Sequence, residues 1–432
     1  MGRDASRWHR AISALERLQR SQSRRKTCGA FLEIAPVKEA FLVSSDLQSN
    51  RLTVVPSGEI AISLHSSSPV LNQTSFSPAA AQDMMSSTPA EQSFGVTPRV
   101  VKAAFFGDTG PVGETLEQVY GVSRFEKLGQ LTQLYPTIVT SENLQACLPE
   151  LQGMEVIFST WGMLALTEEQ LDQLPALKAV FYAAGTIKYF GLPLLKRGII
   201  VCSSASANAV PVAEFTLAQI LLANKGYHRN IREYRATSDY AQAFIGPGNH
   251  GVTVALLGAG QIGRKLIELL RPFEVNIVVF DPYLTPENAT RQDVKKVDLS
   301  TAFSSANVVS NHLADIPSTF GMIDGALLSS MMENATFINT GRGRTVNSDD
   351  LISVMRARPD LTALLDVTEP EPLSADAELW SLPNVVITSH IAGSKGREVE
   401  RMADFAIADF VRWTRGEPLH HAVSLEAIER LA

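Results

Sequence analysis

Short apolar runs alternate with stretches of helical periodicity from Arg99 onward. In the first part of this region the runs are rich in β-branched and aromatic residues, and helical stretches such as Thr167–Leu174 separate them. Strands that alternate with helices predict a parallel, doubly wound sheet. The strands predicted for this first series are Val100–Phe106, Glu155–Ser159, Ala179–Tyr182 and Ile199–Cys202.

A second series of apolar runs follows a long apolar helix that we predict over Asn208–Leu222. These runs are apolar at consecutive positions, as expected for strands that are covered on both faces. Six strands at helical spacing predict a complete dinucleotide-binding sheet, and a helix over Gly396–Arg415 follows it. The predicted strands are Val252–Leu257, Ile277–Phe280, Asn307–Asn311, Thr336–Asn339, Leu364–Val367 and Val385–Thr388.

The first 98 residues have a different pattern. Residues 1–30 carry a net charge of +6, and residues 44–96 are rich in Ser, Thr, Pro, Gln and Asn with little apolar periodicity. Such a segment buries too little surface to offset its ordering entropy, so we predict a mostly disordered extension with fragments of local structure. Two interpretations of the extension stay open. One is an upstream extension without function, with the real start at Met84 or Met85; the other is a transit-type basic helix with an apolar face of Trp8, Ile12, Leu15 and Leu18.

Composition narrows the classes of function. A chain of 432 residues with 45% hydrophobic and 19% charged residues is expected to form two or three globular domains. Its net charge of −7 does not favour nucleic-acid binding, and we expect no apolar run of membrane-spanning length. The three cysteines, Cys28, Cys147 and Cys202, form no CxxC pair, which predicts neither disulfides nor a zinc site. We therefore expect a cytoplasmic protein that binds neither nucleic acid, membrane nor metal.

A glycine-rich turn carries the strongest functional signal. The sequence Gly258–Ala259–Gly260–Gln261–Ile262–Gly263 lies between a predicted strand and a predicted helix. The first glycine of such a motif permits a tight turn, the second lets a pyrophosphate approach the backbone, and the third lets the helix pack against the strand. The amides of Gln261 and Ile262 then lie at a helix N-terminus, which favours phosphate. The motif therefore predicts a dinucleotide site.

An acidic residue selects between the two nicotinamide dinucleotides. Asp281 ends the next predicted strand, eighteen residues after Gly263. A carboxylate at this place accepts hydrogen bonds from the adenosine ribose and repels a 2′-phosphate, so we predict NAD rather than NADP. The other interpretation of Asp281 is a turn-forming residue before Pro282.

Polar side chains follow three later strands, where an open α/β sheet binds its ligands. Arg342 lies between Gly341 and Gly343 and offers a planar donor pair that fits a carboxylate or a 2-oxo acid. Asp366 closes a strand before the loop that carries Glu369 and Glu371, and its carboxylate is a candidate to hold the nicotinamide carboxamide. His390 ends the last strand. A carboxylate beside a histidine orients the ring and stabilises its protonated form, which suits proton delivery to a carbonyl oxygen that receives a hydride at its carbon.

These ordered motifs resemble the D-isomer-specific 2-hydroxyacid dehydrogenases over about Arg99–Val423. The resemblance rests on N-A-V-P-V-A-E at Asn208–Glu214, the glycine turn with Asp281, I-N-T-G-R-G, L-D-V-T-E-P-E-P and S-H-I-A-G. It implies a smaller, discontinuous substrate domain (residues 99–205 and 393–432) into which a Rossmann NAD-binding domain (residues 206–392) is inserted. It also implies a homodimer.

The resemblance also implies roles for individual residues. Arg342 would orient the substrate, His390 would donate the proton, and Glu371, with Glu369 as local competitor, would support His390. Asp366 and the Thr340–Gly341 backbone would hold the nicotinamide amide. The Ala184 and Gly185 amides would hold the substrate carboxylate; the other interpretation of this loop is a plain strand-to-helix turn.

The sequence departs from the family pattern at two places. Arg344 follows Gly343, where the family has a small or apolar residue, and His312–Pro317 lacks the family's proline two residues after the histidine. Both departures concern the shape of the nicotinamide pocket. The intact Glu371 argues against the formate dehydrogenase branch.

Function and substrate stay open at this stage. We expect hydride transfer between NAD(H) and a small 2-oxo acid or D-2-hydroxy acid. The alternatives are a non-catalytic, NAD-sensing interaction protein of corepressor type on the same fold, and an L-alanine dehydrogenase, against which the ordered Arg, Glu and His motifs speak. Trp161 either faces the cleft and limits the size of the acid or belongs to the core.

Overall fold

The computed structural model describes residues 41–46, 51–56, 100–108 and 113–428 of the chain. The chain divides into two compact units, Met1–Ser93 and Phe94–Ala432. In the first unit, strands β1 (Phe41–Asp46) and β2 (Arg51–Pro56) pair antiparallel as a hairpin. The rest of the extension predicted to be disordered lies outside the described residues, as do Cys28 and the predicted basic helix.

A five-stranded parallel sheet forms the first half of the second unit. The strands are β3 Val101–Phe106, β4 Thr132–Leu134, β5 Val156–Ser159, β6 Ala179–Tyr182 and β7 Ile200–Ser203. The helices are α1 Leu116–Leu131, α2 Leu144–Leu151, α3 Glu168–Asp172 and α4 Gly191–Lys196. The strand order is β4-β3-β5-β6-β7, so the chain reverses direction across the sheet between β3 and β5. Strand β4 was not predicted, because its three residues follow helix α1 directly and show no apolar run of their own.

Helices cover both faces of this sheet, because alternate residues of each strand point to opposite sides. Ile157 and Val180 face a core that α2, α3 and α4 complete. Phe158 and Phe181 face the other core, with α1 and with α12 (Val399–Thr414) from the end of the chain. Phe410 of α12 packs edge-on against both rings, with centroid distances of 5.1 and 5.6 Å. Helix α12 therefore belongs to this sheet, although it follows the whole seven-stranded sheet along the chain.

A seven-stranded parallel sheet forms the other half. Its strand order, β10-β9-β8-β11-β12-β13-β14, reverses direction at β8 and leaves a crevice between β8 and β11. Six of its strands were predicted; the seventh, β10, has only two exposed lysines and no apolar pattern. The strands are β8 His250–Leu257, β9 Glu274–Phe280, β10 Lys295–Lys296, β11 Val308–Asn311, β12 Thr336–Asn339, β13 Thr362–Leu365 and β14 Val385–Ile387.

Two layers of helices cover the seven-stranded sheet. The helices are α5 Ala205–Asn224, α6 Tyr227–Glu233, α7 Gln261–Leu270, α8 Pro286–Arg291, α9 Leu299–Ser305, α10 Gly325–Ser329 and α11 Ser348–Ala357; a last helix, α13 Leu425–Ile428, follows α12. Helices α5, α7 and α8 share one core with the sheet, and α9, α10 and α11 share the other.

Helix α5 connects the two sheets. Among the described residues it is the one helix that is long and apolar enough to cross a membrane by length and composition alone, a test that the core helix of a globular protein also passes. Within the protein α5 packs against α7 and the seven-stranded sheet, and Ala213, Thr216 and Ile220 are fully buried. Its apolar character is therefore that of a core helix in this fold.

Candidate active site

The glycine turn lies at the carboxyl end of β8, and each glycine has a different environment. Gly258 has φ = +101°, which favours glycine. A Cβ on Gly263 would lie 2.1 Å from the carbonyl oxygen of Gly258, so only glycine lets α7 pack this close to the turn. A Cβ on Gly260 would meet nothing within 4 Å. The space beside Gly260 is thus open, as a pyrophosphate approaching the backbone requires.

Helix α7 presents unpaired amides at the turn. Its first intrahelical bond runs from the amide of Arg264 to the carbonyl of Gly260, at 3.0 Å. Within the described part of the chain, the amides of Gln261 and Ile262 donate no hydrogen bond. They therefore remain available to an anion, which the helix N-terminus also favours electrostatically.

Asp281 lies directly after β9 and braces the glycine turn. One carboxylate oxygen accepts a hydrogen bond from the Ala259 amide at 2.6 Å, and the other accepts from the amides of Tyr283 and Leu284 at 2.7 and 3.1 Å. A carboxylate has about four acceptor positions. Asp281 is therefore both the turn-former before Pro282 and a carboxylate with acceptor capacity left for a ribose hydroxyl.

Two asparagines hold the loop that carries Arg342. Asn311 and Asn339 are paired residues at the ends of β11 and β12, and the Asn311 amide donates to Asn339 Oδ1 at 3.0 Å. Asn339 Oδ1 also accepts from the Gly341 amide, and the carbonyl of Arg342 accepts from Asn339 Nδ2 and Thr345 Oγ1. The half-buried Arg342 side chain thus extends from a loop that these hydrogen bonds hold at the carboxyl edge of the sheet.

Asp366 anchors the loop of His390. It is 4% exposed; its Oδ1 accepts from Thr388 Oγ1 at 2.6 Å and from the Ile391 amide at 2.8 Å, and its Oδ2 accepts from the Ala392 amide at 2.9 Å. The structure thus shows that Asp366 holds the backbone of the His390 loop, a role that the sequence did not indicate. Contact of its carboxylate with a nicotinamide carboxamide stays a prediction.

His390 and Glu371 form a hydrogen-bonded pair. His390 Nδ1 lies 2.5 Å from Glu371 Oε1, and among the described residues Nε2 has no partner. The histidine has φ = +57°, a conformation that costs a non-glycine residue roughly 1–2 kcal/mol. The next two residues donate their amides to Asp366, and these hydrogen bonds hold the backbone in that conformation. Glu369, the competitor, is exposed, and its carbonyl accepts from Ser348 Oγ. The structure therefore places Glu371 beside the ring.

The loops of Arg342 and Glu371 touch at a glycine. A Cβ on Gly343 would lie 2.0 Å from the carbonyl carbon and oxygen of Thr368. Only glycine permits this contact between backbones, because any larger residue would force the two loops apart. The contact brings the guanidinium loop and the carboxylate loop to the same edge of the sheet.

The five-stranded sheet contributes the loop of Ala184 and Gly185 after β6. Ser203 Oγ donates to the carbonyl of Gly185 at 2.5 Å, and Asn208 lies beside Gly185. Asn208 Oδ1 also accepts from the Ser394 amide, just beyond the His390 loop. In the described region the amides of Ala184 and Gly185 donate no hydrogen bond; Ala184 is fully buried, whereas Gly185 is partly exposed, so the Gly185 amide is the more accessible to an anion.

A buried hydrogen-bond chain underlies the site. His312 Nε2 lies 2.9 Å from Ser310 Oγ, and its Nδ1 lies 3.2 Å from Thr340 Oγ1, which in turn lies 3.2 Å from Thr216 Oγ1 on α5. Burial lowers the pKa of His312 to about 4, so its ring is neutral near pH 7. No local sequence signal pointed to this chain, which joins residues more than a hundred positions apart.

Both departures from the family pattern have a structural account. The Arg344 guanidinium lies 4.1 Å from the centroid of the Phe320 ring, and the two exposed side chains form a cation–π contact at the protein surface. The loop of Asp315 and Ile316 ends in a turn held by Thr319, which donates to the Ala314 carbonyl. Trp161 packs against both cores of the five-stranded sheet and against Gly113, which favours the core interpretation.

Known proteins resemble this chain in sequence. Residues 217–392 match the family model described as "D-isomer specific 2-hydroxyacid dehydrogenase, NAD binding domain", which confirms the prediction of NAD as cofactor. A D-3-phosphoglycerate dehydrogenase of Archaeoglobus fulgidus is 32% identical and covers 54% of this chain and 44% of its own length. An (S)-sulfolactate dehydrogenase of Chromohalobacter salexigens is 32% identical and covers 54% of this chain and 77% of its own.

Solved structures share the fold. The apo form of D-mandelate dehydrogenase from Rhodotorula graminis matches with a TM-score of 0.61 at 20% identity, over 75% of this chain and 97% of that one. The two-sheet α/β architecture predicted from the sequence is thereby confirmed. The chain spans about half the length of several curated relatives that it matches.

Proposed function

The chain belongs to the D-isomer-specific 2-hydroxyacid dehydrogenase family, and we propose that it transfers a hydride between NAD(H) and a small 2-oxo acid or D-2-hydroxy acid. The observation that carries the proposal is the 2.5 Å hydrogen bond between His390 Nδ1 and Glu371 Oε1. This pair lies at the carboxyl edge of the sheet that also bears the glycine turn, where an open α/β sheet binds its ligands. The proposed boundaries are residues 99–205 with 393–432 for the substrate domain and residues 206–392 for the NAD-binding domain.

NAD supplies or accepts the hydride at its nicotinamide ring. The open face of Gly260 and the free amides of Gln261 and Ile262 fit its pyrophosphate. Asp281 accepts a hydrogen bond from the adenosine ribose. Toward the nicotinamide end we propose contacts from Thr340, Gly341 and Asp366.

The substrate is bound by groups from both sheets. We propose that the Ala184 and Gly185 amides hold its carboxylate and that Arg342 donates to its carbonyl oxygen. A guanidinium is suited to this task because it is planar and always charged. By stabilising negative charge on that oxygen as the hydride arrives, Arg342 lowers the barrier to the reduction.

His390 delivers the proton. Glu371 holds Nδ1 and orients the ring, which leaves Nε2 free to face the substrate oxygen. In the oxidative direction the same nitrogen removes the proton from the hydroxyl group. Positioned proton transfer of this kind contributes about 10²- to 10⁴-fold to a rate.

An NAD-sensing interaction protein on the same fold is not favoured, because the relatives are named as dehydrogenases.

We further propose a cytoplasmic homodimer. The support for the dimer is a set of exposed apolar side chains on and after α6, two of which, Tyr234 and Tyr240, pack edge to face with ring centroids 6.1 Å apart; the others are Tyr227, Ile231 and Ile245. Sedimentation of the wild-type chain and of a Tyr240→Ser, Ile245→Ser variant tests this. The wild type should sediment as a dimer and the variant as a monomer, and a variant that stays dimeric would exclude these side chains as the interface.

Oxidation of NADH by a panel of 2-oxo acids tests the reaction. The panel includes glyoxylate, hydroxypyruvate, 3-phosphohydroxypyruvate and 3-sulfopyruvate, the last two because of the names of the relatives. We expect turnover of at least one acid, preference for NADH over NADPH, and a product of D configuration. Failure of every acid with both cofactors would overturn the proposal.

A further inference from the structure

Lys188 extends from the substrate loop across the cleft. It lies three residues after Gly185, on the same loop at the carboxyl edge of the five-stranded sheet. Its ammonium donates to the carbonyl oxygen of Asp315 at 2.5 Å. Asp315 belongs to the loop after β11 of the seven-stranded sheet, so this hydrogen bond joins the two walls of the proposed active site.

Lys188 is exposed, and its ammonium lies in the field of charged groups from both walls. Burial of part of the side chain lowers the pKa of Lys188, the carboxylate of Asp315 acts in the opposite direction, and the positive charge of Arg342 lowers the pKa further. The hydrogen bond to the Asp315 carbonyl therefore holds a cation on the side of the cleft toward which Arg342 also contributes positive charge.

Neither cation forms an ion pair within the described part of the chain. Lys188 bonds the carbonyl of Asp315, and Arg342 bonds the carbonyl of Gly341. The carboxylate of Asp315 lies nearby, but its Oδ1 is buried without a hydrogen-bond partner among the described residues. Two of the three ammonium hydrogens and most of the guanidinium donors thus remain available.

A 2-oxo acid with one carboxylate does not account for both cations. In the proposed function its carboxylate takes the Ala184 and Gly185 amides and its carbonyl takes Arg342. Lys188 is then left with the Asp315 carbonyl as its hydrogen-bond acceptor and without an ion pair among the described residues. A second anionic group at the distal end of the acid would pair with it.

We propose that Lys188 is a specificity-determining residue that selects 2-oxo acids with a second anionic group, whether carboxylate, phosphate or sulfonate. The inference rests on the proposed function and narrows its substrate class. The distal anion accepts the free hydrogens of the Lys188 ammonium, while the first carboxylate stays on the glycine loop. Asp315 positions the ammonium through its carbonyl and balances part of the charge when the cleft holds no acid.

The test compares matched acids on Lys188→Met and wild type. Each pair differs by the distal anion: 2-oxoglutarate with 2-oxopentanoate, 3-phosphohydroxypyruvate with hydroxypyruvate, and 3-sulfopyruvate with pyruvate. Wild type should favour the dianion in at least one pair, and the pair with the largest preference identifies the anion. Lys188→Met should lower that ratio of kcat/KM about 10- to 100-fold, because the charge-assisted hydrogen bond to the distal anion is lost.

Two further variants separate selection from structure. Lys196→Met removes the same charge from an exposed position on α4 and should leave the ratio as in wild type. Lys188→Arg should restore most of the preference. If Lys188→Met lowers kcat/KM equally for both members of every pair, the residue only closes the cleft and the inference is wrong.

A binding measurement distinguishes failure of the inference from failure of the proposed function. Calorimetry of the NADH-loaded protein with glutarate and with pentanoate requires no turnover. If no acid is reduced but glutarate binds more tightly than pentanoate in a Lys188-dependent manner, recognition of a dianion by Lys188 is supported and the proposed reaction is wrong. If acids are reduced without preference for a dianion, the reaction stands and the inference falls.

Discussion

Alanine at two glycines of the same turn should separate folding from cofactor binding. A Cβ on Gly263 would lie 2.1 Å from the carbonyl oxygen of Gly258, a backbone atom that has no rotamer to adopt. Helix α7 would have to move away, although its Leu266, Ile267 and Leu270 are at most 1% exposed. Overpacking of this kind costs about 1–3 kcal/mol. Because the contact is with backbone, we expect about 3 kcal/mol for Gly263→Ala, or a fall in Tm of roughly 6–12 °C.

The change at Gly260 should have the opposite profile. Its Cβ would meet no atom within 4 Å, and its φ of −69° suits alanine. The free energy of unfolding of Gly260→Ala should therefore stay within about 0.5 kcal/mol of wild type. The methyl group would occupy the space that the pyrophosphate needs, so we expect at least about a tenfold rise in the Kd for NADH, which corresponds to about 1.4 kcal/mol.

Two assays separate these effects: thermal unfolding without ligand measures stability, and titration with NADH followed by fluorescence measures the Kd for the cofactor. Gly129→Ala, in helix α1 with no atom within 4 Å of its Cβ, is the matched control and should bind NADH like wild type. The reasoning fails if Gly260→Ala keeps the wild-type affinity for NADH, or if Gly263→Ala unfolds at the wild-type temperature.

Two further predictions concern buried polar groups. Asp366→Ala removes the acceptor of two backbone amides and so releases the loop of His390. The free energy of unfolding of this variant should fall by roughly 3 kcal/mol, and its rate of NADH oxidation should fall as well. The control variant Asp376→Ala, on the exposed surface, should change neither quantity. Burial lowers the pKa of His312 from 6.5 to about 4, so the unfolded chain binds a proton at this residue more readily than the folded protein does. The free energy of unfolding is therefore highest, as far as His312 is concerned, above pH 6.5, and it falls as the pH is lowered toward 4. At about 1.4 kcal/mol per pKa unit, the loss approaches about 3 kcal/mol. Denaturant unfolding of wild type and His312→Gln at intervals from pH 7 to 4 should show a shallower decline for the variant, and parallel curves would refute the assignment.

Local sequence patterns predicted the elements whose cause is local. The strand of Val254–Leu257 is a buried apolar run, and the glycine turn after it was predicted because each glycine has a steric task that the spacing reveals. Strand β10 was missed because Lys295 and Lys296 are exposed and pair only through their backbone with β9. An exposed edge strand of two residues leaves no hydrophobic signature.

The candidate site was only partly predictable, because its geometry depends on contacts between distant segments. The order of motifs placed Arg342, Glu371 and His390 at neighbouring strand ends, since parallel strands present their carboxyl ends at one edge. It could not indicate that Asp366 bonds the loop of His390, or that Lys188 meets Asp315 across 127 positions. Such side-chain contacts arise from the packing of two sheets and have no periodicity along the chain.

A histidine–carboxylate pair does not by itself make an active site, and the chain provides its own control. His250 Nδ1 lies 2.5 Å from Glu274 Oε2, the same separation as in the pair of His390 and Glu371. His250 begins β8 at the amino edge of the sheet, and its side chain is 83% exposed. The position of His390 at the carboxyl edge, rather than the pair alone, is what the proposed mechanism requires.

The most direct test of the proposed reaction is therefore the kcat/KM for NADH-dependent reduction of the best 2-oxo acid by wild type, His390→Asn and His250→Asn. Removal of the proton donor should lower kcat/KM about 10²- to 10⁴-fold in His390→Asn, with the Kd for NADH changed by less than about twofold. His250→Asn should match wild type. If His390→Asn retains wild-type kcat/KM, His390 does not deliver the proton and the proposed mechanism is wrong.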